Sequence, residues 1–523
     1  MRDACGVPGD QQRIRLAELL VPLSLAADAG MGLEPGEAAR ATLIAVRLAG
    51  LIGMPEGEAS EVYYTTLLQH VGCTAYAHEA AGMLGGDEIA VKAAALRTDF
   101  TRPRDVLLGY LPNLAPQAGL VHRLRAAGVA VARARSITAG YSRANCEVAA
   151  LTARRLGLGQ GVERSLSAVF EQVDGKGAPQ GLSSDQIPLP ARVAQVAVYA
   201  ALFDRINGPQ LAAATIRRRA GRALDAEVAA AFCRVAPELL EELRAEDAVP
   251  AAVAAEPAPA VALPQPDVDE VCRAFGEAVD LKTPYLHGHS VGVARLARAG
   301  AERMGLPADQ AGAVFRAGLL HDLGRAAVPN GVWEKPGRLS TAEWERVRLH
   351  AYHSERIVKA CPALASLAPA AGMHHERLDG TGYHREARAA SIPMNARLLA
   401  ASDVFQAMTQ ERPHRASRAP EDAARALTRE AEAGRLDADA VAAVRAAAGH
   451  ALRGRRPRPG GLTDRQLEVL RLVARGLSNR QIAARLVVSP RTAERHVQDI
   501  YARIGVSTRA GAALYGMQHD LLG

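Results

Sequence analysis

The chain is poor in the residues that build disulfide-bonded or membrane-spanning proteins. Its six cysteines are scattered without a Cys-x-x-Cys pair, which argues against a disulfide framework and against a thiolate zinc site. No apolar run approaches the roughly 18 residues that a membrane span needs, and the N-terminus lacks the basic-then-apolar pattern of a secretory signal. We therefore expect a protein of the reducing cytoplasm, with no membrane partner.

Aromatic residues make up only 4% of the chain and lysine is scarce, whereas alanine and arginine are abundant. This composition favours helices, although a GC-rich coding sequence produces the same bias. Apolar residues recur at helical spacing in 291–304, 308–320 and 341–361, and we find no run of alternating strands. The predicted fold class is therefore all-α. The length of the chain calls for two to four domains.

Basic charge is concentrated at the C-terminal end. Residues 451–523 hold 13 Arg against five Asp or Glu, a net charge of +8, whereas residues 1–450 carry −1. Such an asymmetry indicates a nucleic-acid partner for that end of the chain.

Two proline-containing segments divide the chain. Residues 246–267 are Pro/Ala-rich and are predicted to form an extended linker, and residues 451–461 form a short basic linker. They separate a first region, 1–245, a second region, 268–450, and a third region, 462–523.

The first two regions look like copies of each other. Motifs within 36–72 recur in 288–324 at an offset of 252 residues, and motifs within 171–192 recur in 376–397 at an offset of 205 residues. The first copy therefore carries an insertion of about 47 residues. Coincidence in an alanine-rich chain is the competing interpretation, but matched Asp-Gly-x-Gly and Ile-Pro-x-x-Ala-Arg motifs at one offset argue against it.

Histidine is absent between His122 and His287, yet nine of the fifteen histidines fall between 287 and 414. With nearby aspartates they form a set of seven potential metal ligands: His289, His321, Asp322, His350, His374, His375 and Asp403. Imidazole and carboxylate donors without thiolate suit Fe, Mn, Mg, Co or Zn, with imidazole favouring transition metals. Seven ligands suit two divalent ions, a pairing that supports phosphoester hydrolysis.

The first copy has lost nearly all of these ligands. Its corresponding residues are Glu37, Gln69, His70, Val169, Phe170 and Val198. We expect this region to keep the fold without the metal chemistry and to serve dimerisation, regulation or ligand sensing.

The second region resembles the HD-GYP branch of HD-domain phosphohydrolases over roughly 268–445. The resemblance rests on Gly-His289-Ser, His321-Asp322-Leu-Gly, Lys335-Pro-Gly, His350, His374-His375-Glu, Asp379-Gly-Thr-Gly382-Tyr383, Asp403 and Arg412-Pro-His-Arg. It implies an all-helical enzyme that hydrolyses cyclic di-GMP, with the seven ligands above and Asp322 as the bridge. The family's optional extra ligand is replaced by Tyr285, so two metals are expected. The implied catalytic residues are Asp322 and Arg325, and the implied substrate-binding residues are Arg325, Asp379, Gly382, Tyr383 and Arg412.

Two departures from the family pattern bear on the substrate. Arg325 stands where the family has lysine, which keeps a positive charge for phosphate on a longer, forked side chain. His384 replaces the proline of the Gly-Tyr-Pro signature, and we expect a freer and more basic loop as a result.

The third region resembles the LuxR/NarL-type helix-turn-helix closely. Capping boxes at Thr463 and Ser478, and Ser489 before Pro490, predict three helix starts. The third of these helices is the predicted DNA reader, with Val497, Ile500 and Ile504 packed inward. The candidate DNA-binding residues are Ser489, Arg491, Thr492, Glu494, Arg495, His496 and Gln498. Glu494 stands where the family often has lysine, and the resemblance implies binding as a homodimer.

The sequence therefore predicts two HD-GYP-like helical domains followed by a four-helix LuxR-type domain. The leading interpretation is a cytoplasmic regulator that joins a dinuclear phosphodiesterase, with Fe, Mn or similar ions, to sequence-specific DNA binding. Two alternatives stay open. The protein is a nucleotide-sensing transcription factor without catalysis, or its substrate is a different nucleotide phosphoester.

Overall fold

A computed structural model describes residues 13–100, 102–116, 119–451 and 461–522. The regular secondary structure in these ranges is helical apart from one antiparallel pair of two-residue strands, β1 (Ile14–Arg15) and β2 (Ala262–Leu263). The all-α prediction is confirmed. Within the same ranges, no helix has the length and apolarity required to traverse a bilayer.

The helices follow one another in three groups. The first group comprises α1 (Leu16–Leu23), α2 (Leu25–Met31), α3 (Glu37–Leu51), α4 (Glu56–Leu68), α5 (Ala77–Leu84), α6 (Glu88–Arg97), α7 (Pro103–Asp105), α8 (Leu120–Ala132), α9 (Ala134–Arg155), α10 (Gly159–Leu166), α11 (Leu189–Asn207), α12 (Pro209–Arg219), α13 (Ala226–Arg244) and α14 (Ala248–Ala254). The second comprises α15 (Gln265–Asp280), α16 (His289–Arg303), α17 (Ala308–Leu320), α18 (Asn330–Trp333), α19 (Thr341–Lys359), α20 (Ala368–Met373), α21 (Met394–Thr409), α22 (Pro420–Glu432) and α23 (Ala438–Ala451). The third comprises α24 (Asp464–Ala474), α25 (Asn479–Leu486), α26 (Pro490–Ile504) and α27 (Arg509–Gln518).

The segment 246–267 is not the extended linker that its composition predicts. Residues 248–254 form α14, which the Asp247 side chain caps by accepting from the backbone N–H of Val249. Ala252 is fully buried, and its carbonyl accepts a 2.8 Å hydrogen bond from the Tyr63 hydroxyl. The small alanine side chains let this helix pack closely on the first region, so the prediction of an extended conformation is wrong here. Residues 452–460 of the basic linker lie outside the described residues.

The local structure repeats where the sequence repeats. Helices α3 and α16 both have 15 residues, and α4 and α17 both have 13. Gly36 and Gly288 precede α3 and α16 with φ of 89° and 76°, a conformation that favours glycine because it has no Cβ. Buried Asp28 and Asp280 each accept backbone hydrogen bonds at these helix starts. One supersecondary unit has therefore been used twice.

A buried ion pair joins the first region to the second. Lys282 is fully buried and its Nζ lies 2.6 Å from Oε1 of Glu88 in α6. The second carboxylate oxygen of Glu88 accepts from the backbone N–H of Asn330, whose side-chain amide donates to the Lys282 carbonyl. Removing one partner of such a pair typically costs about 3–5 kcal/mol, because the other charge is left buried and unpaired. This network fixes the two regions against each other.

The third region docks on both of the others through α27. Leu514 and Met517 share an apolar cluster with Val148 of α9 and with Leu281. Glu147 of α9 accepts hydrogen bonds from the backbone N–H of residue 507 at 2.5 Å and from the hydroxyl of residue 508. The DNA-reader candidate, α26, is not part of this apolar cluster.

A second set of contacts ties α27 to the start of α16. Arg295 donates two hydrogen bonds to the Asp520 carboxylate, at 2.6 and 2.8 Å. The backbone N–H of Gly288 donates to the sulfur of Met517 at 3.0 Å. The third region thus rests beside the residue that opens α16, His289.

Candidate metal centre and nucleic-acid interface

The second region brings all seven predicted metal ligands together, although they come from five helices or helix ends. They are His289 at the start of α16, His321 and Asp322 after α17, His350 in α19, His374 and His375 after α20, and Asp403 in α21. All are buried except the partly exposed His375.

The carboxylate of Asp322 divides these ligands into two groups. Its Oδ2 lies 3.5 Å from Nε2 of His289 and 3.3 Å from Nε2 of His321. Its Oδ1 lies 3.4 Å from Nε2 of His350 and 3.6 Å from Nε2 of His374. Each oxygen therefore faces two imidazoles, an arrangement suited to a carboxylate shared by two cations.

The carboxylate of Asp403 reaches the same two groups. Its Oδ1 lies 3.1 Å from Nε2 of His289, and its Oδ2 lies 3.7 Å from Nδ1 of His375. The first group of donors consists of His289, His321, Asp403 and Oδ2 of Asp322. The second group consists of His350, His374, His375 and Oδ1 of Asp322.

Three imidazoles are oriented by the chain immediately before them. In His321, His350 and His374, Nδ1 lies 2.8, 2.5 and 2.6 Å from the carbonyl oxygen three residues earlier. Because a carbonyl can only accept, each Nδ1 carries a proton, which leaves Nε2 as the nitrogen that faces the cluster and can bind a metal. For His289, the side-chain oxygen of Gln410 lies 2.9 Å from Nδ1 and favours the same tautomer.

The protein itself does not satisfy the donor atoms of this cluster. Nε2 of His289, Nε2 of His321 and both Asp322 oxygens are buried without a well-aligned hydrogen bond to any described residue. Burial opposes ionisation of Asp322, but Arg325 and His321 hold the pKa of its carboxyl well below the ordinary value. Burial also disfavours charge on His321, yet Asp322 raises the pKa of its imidazole to about 9. The cluster thus attracts positive charge, and its donors fit divalent transition metals.

Two partly buried guanidinium groups stand beside the cluster. Nε of Arg325 lies 2.6 Å from Oδ2 of Asp322, and its guanidinium lies over the Trp333 ring, 4.5 Å from the centroid. Arg412 donates to the backbone oxygen of Tyr285 at 2.9 Å. Burial lowers the pKa of Arg412 to about 10, so the side chain keeps its charge at neutral pH. Both arginines supply positive charge where a phosphate would need it.

The remaining predicted substrate residues are placed differently. The ring of Tyr383 lies 4.7 Å from the ring of His375, at an angle of 31°. A Cβ on neighbouring Gly382 would lie 2.4 Å from a backbone nitrogen of the same loop, so the loop requires glycine there. Asp379 is exposed and its carboxylate accepts from the backbone N–H and hydroxyl of Thr381, which places it in the turn of the loop rather than at the ligands.

The loop that carries His384 is bonded to a buried carboxylate. Buried Glu376 accepts hydrogen bonds from the backbone N–H groups of Arg385 and Ala387, at 2.7 and 2.9 Å. Arg385 is in turn paired with Glu355. These hydrogen bonds restrain the loop in the absence of the proline, and its greater freedom stays a prediction.

Sequence reasoning missed three side chains that support the site. Gln410 orients His289, and Trp333 lies under Arg325. Asp280 accepts from the backbone N–H and hydroxyl of residue 290, at 2.9 and 2.8 Å, and so fixes the start of α16. The only sequence signal for any of them was the 252-residue offset between Asp280 and Asp28, which performs the same task in the first copy.

The corresponding residues of the first region meet around a cavity of about 10 Å³, lined in part by Glu37, Gln69, His70 and Val198. Glu37 is engaged by Nε of Arg205 at 2.6 Å. Burial lowers the pKa of His70 to about 4, so its imidazole is neutral at physiological pH. These residues lack a carboxylate between imidazoles, in keeping with a copy that retains the fold without the metal chemistry.

The third region forms four helices, and its helix starts are those that the sequence indicates. Thr463 and Ser478 cap α24 and α25 through complete capping boxes with Gln466 and Gln481. Ser489 accepts from the backbone N–H three residues later and caps α26 in front of a proline.

Helix α26 turns one face to the core and the other to solvent. Ala493, Val497 and Ile500 are buried. The candidate DNA contacts are exposed except for half-buried His496: Ser489, Arg491, Thr492, Glu494, Arg495 and Gln498. The side chain of Arg495 is 84% exposed. Docking of α27 therefore leaves the reading face of α26 open to a ligand.

Two protein families match this chain in complementary parts. Residues 273–440 match the HD domain family, and residues 461–515 match the luxR family of bacterial regulatory proteins.

Known relatives share both the sequence and the fold. The chain is 29% identical to 3′3′-cGAMP-specific phosphodiesterase 3 of Vibrio cholerae over 449 residues, which span 84% of this chain and 95% of that protein. It is 39% identical to a cyclic di-GMP phosphodiesterase of Pseudomonas aeruginosa over 140 residues, which span 26% of this chain and 34% of that protein. The crystal structure of a cyclic GMP-AMP specific phosphodiesterase of V. cholerae has the same fold, with a TM-score of 0.59 and 24% identity, over 84% of this chain and 98% of that one. The chain therefore contains an HD domain and a C-terminal luxR-type domain, and the proteins that it resembles include cyclic-dinucleotide phosphodiesterases.

Proposed function

We propose that the second region is a dinuclear phosphodiesterase that opens a cyclic dinucleotide. The observation that carries this proposal is the Asp322 carboxylate, each of whose oxygens faces two imidazoles. Divalent cations held at these residues would supply an activated water and charge neutralisation at the phosphoryl oxygens. The two donor groups defined above would hold one cation each, with Asp322 shared between them.

The side chains around these ligands have distinct tasks in this reaction. Gln410 and the backbone carbonyls keep the imidazoles in the ligating tautomer. Arg325 and Arg412 balance the charge that develops on the phosphate, because both are partly buried and positively charged beside the ligands. Tyr383 presents its ring next to His375 as a wall of the substrate site.

The class of substrate is supported by the relatives. One relative that matches most of the chain is named for 3′3′-cGAMP, and another is named for cyclic di-GMP. Both compounds are cyclic dinucleotides with two phosphodiester bonds. We propose this class, in which cyclic di-GMP was the leading expectation from the sequence and 3′3′-cGAMP is an equal candidate.

The third region is proposed to read DNA as one half of a homodimer. Arginine and glutamine side chains on the exposed face of α26 have the donors and acceptors needed for guanine and adenine in the major groove. The net charge of +8 over residues 451–523 supplies attraction to phosphate. A chain that combines a cyclic-dinucleotide site with a DNA reader would act in the cytoplasm.

The docked position of α27 offers a route between the two functions. The turn 284–288 contacts the third region directly, through the hydrogen bond from Gly288 to Met517. The same turn is held from the other side by Arg412, which donates to the carbonyl of Tyr285. A phosphate that engages Arg412 would compete with this bond, and His289 follows the turn at once. We propose that ligand binding at the metal centre changes docking and thereby DNA affinity.

Metal content tests the assignment of ligands. Asp322→Ala is expected to lose both ions, because it removes the shared carboxylate. His289→Ala and His374→Ala should each weaken the binding of one ion. Elemental analysis should give about two transition-metal ions per wild-type chain. Asp379→Ala is the matched control, since this exposed aspartate lies in the loop turn, and it should keep both ions. Two tightly held ions in Asp322→Ala would contradict the shared-carboxylate arrangement.

Phosphodiesterase assays with Mn or Fe test the reaction. Wild-type protein should convert 3′3′-cGAMP or cyclic di-GMP into a linear dinucleotide, and Arg412→Ala should lower kcat/KM by about tenfold to a hundredfold through loss of a charge next to the phosphate. Tight binding of the dinucleotide without product under any metal would favour the sensing alternative. Product only from other nucleotide phosphoesters would favour the second alternative.

DNA binding tests the reading helix. Arg495→Ala should weaken binding to a selected preferred site by about tenfold, because a bidentate base contact is lost, while binding to unrelated DNA changes less. Arg445→Ala, which removes an exposed arginine of α23, is the control and should leave both affinities unchanged. If the Arg495→Ala protein bound the preferred site with wild-type affinity, Arg495 would not be part of the DNA interface.

A charge exchange tests the coupling. Arg295→Asp and Asp520→Arg each break the pair that holds α27 to α16, and the double variant restores opposite charges. A non-hydrolysable cyclic dinucleotide should change the DNA affinity of wild type and of the double variant, and the effect should shrink in both single variants. Linkage requires DNA to change dinucleotide affinity by the same factor. If the dinucleotide changed the DNA affinity of the single variants as much as that of wild type, the docking of α27 would not transmit the signal.

A further inference from the structure

Helix α8 is packed with its small side chains inward and its large ones outward. Ala126 and Ala130 are buried, at 5% and 6% exposure. Leu120, Leu124 and Val131 are 71%, 65% and 66% exposed. At about 3.6 residues per turn these three side chains form one narrow stripe. An amphipathic helix of a globular protein normally buries such a stripe.

Exposed apolar side chains also occur in the segment before α8. In the described residues, fourteen large hydrophobic side chains are exposed, and half of them fall between Phe100 and Val131. They include Leu107 and Leu108, at 61% and 64% exposure, in the segment that precedes α8. We call the seven residues Phe100, Leu107, Leu108, Leu120, Val121, Leu124 and Val131 the α8 surface. So many exposed apolar side chains in one segment of the chain indicate a site of interaction.

The α8 surface belongs to the part of the first region that the second region lacks. The insertion of about 47 residues lies between the aligned motifs that end at Gly72 and begin again at Glu171. Because the second copy folds without a counterpart, the duplicated fold does not require this segment. Its exposed leucines and valines therefore need an explanation outside the core.

The charge around the α8 surface indicates which kind of partner it binds. From Val106 to Cys146 the chain has no Asp or Glu, but it has five arginines. All five are exposed: Arg123, Arg125, Arg133, Arg135 and Arg143. A symmetric contact with a second copy would set these arginines against each other. Nucleic acid would satisfy the arginines but not the apolar stripe.

We propose that the α8 surface binds an anionic phospholipid bilayer. Apolar side chains enter the acyl boundary while flanking arginines meet lipid phosphates, as in helices that lie in the plane of a membrane. Contact with a lipid surface needs no spanning helix. It revises the expectation of no membrane partner, which rested on the lack of a long apolar run.

Sedimentation of the full chain with vesicles tests this proposal. Phosphatidylglycerol in phosphatidylcholine vesicles should raise the bound fraction about tenfold over phosphatidylcholine alone, and added salt should reverse the gain. Leu120→Gln/Leu124→Gln should reduce binding to both kinds of vesicle. Arg123→Gln/Arg125→Gln should remove the preference for the anionic lipid. Leu51→Gln, at another exposed leucine, should bind as wild type does.

Circular dichroism of each variant shows whether its helices persist, and these surface changes to glutamine should preserve them. Absence of wild-type binding to anionic vesicles would overturn the proposal. So would wild-type binding by the Leu120→Gln/Leu124→Gln protein. Size-exclusion chromatography gives a third decisive outcome. A dimer that Leu120→Gln/Leu124→Gln converts to a monomer, without any vesicle binding by wild type, would assign the surface to a second copy of the chain.

Discussion

The catalytic region is organised around one buried carboxylate, Asp322, to which no described residue donates a well-aligned hydrogen bond. Both oxygens of Asp322 lie among imidazole nitrogens, and Arg325 is the nearest cation. Burying an anion is costly unless positive charge accompanies it. Five helices or helix ends contribute candidate ligands at this point. The packing of the second region therefore creates the buried anion and, with it, the need for cations.

The first region shows what the same fold keeps when it has no buried carboxylate among imidazoles. Its helices α3 and α4 keep the lengths of α16 and α17, but Glu37 pairs with Arg205 rather than facing a metal. Glu171 still holds its loop by accepting from three backbone N–H groups, as Glu376 holds the equivalent loop with two. The first copy has instead become a support. It carries the buried Glu88 that meets Lys282 and the Glu147 that receives the third region.

Local signals in the sequence were reliable where short-range physics decides the outcome. The capping boxes at Thr463 and Ser478, the helix at 308–320 and the inward face of α26 all depend on residues within about one or two helical turns. The seven ligands stood out because imidazole and carboxylate were concentrated in one segment. The prediction for the segment 246–267 was wrong, because a Pro/Ala-rich composition suits both an extended linker and a small helix packed on a core.

The sequence by itself determined the fold class, and from residue type and spacing it predicted the candidate ligands and the candidate reading helix. Tertiary structure alone decided which imidazoles share each oxygen of Asp322, where Arg325 and Arg412 lie, and how α27 docks. These features join residues far apart in the chain, such as Arg295 and Asp520. Their geometry depends on how whole helices pack, and periodicity along one segment carries no information about that.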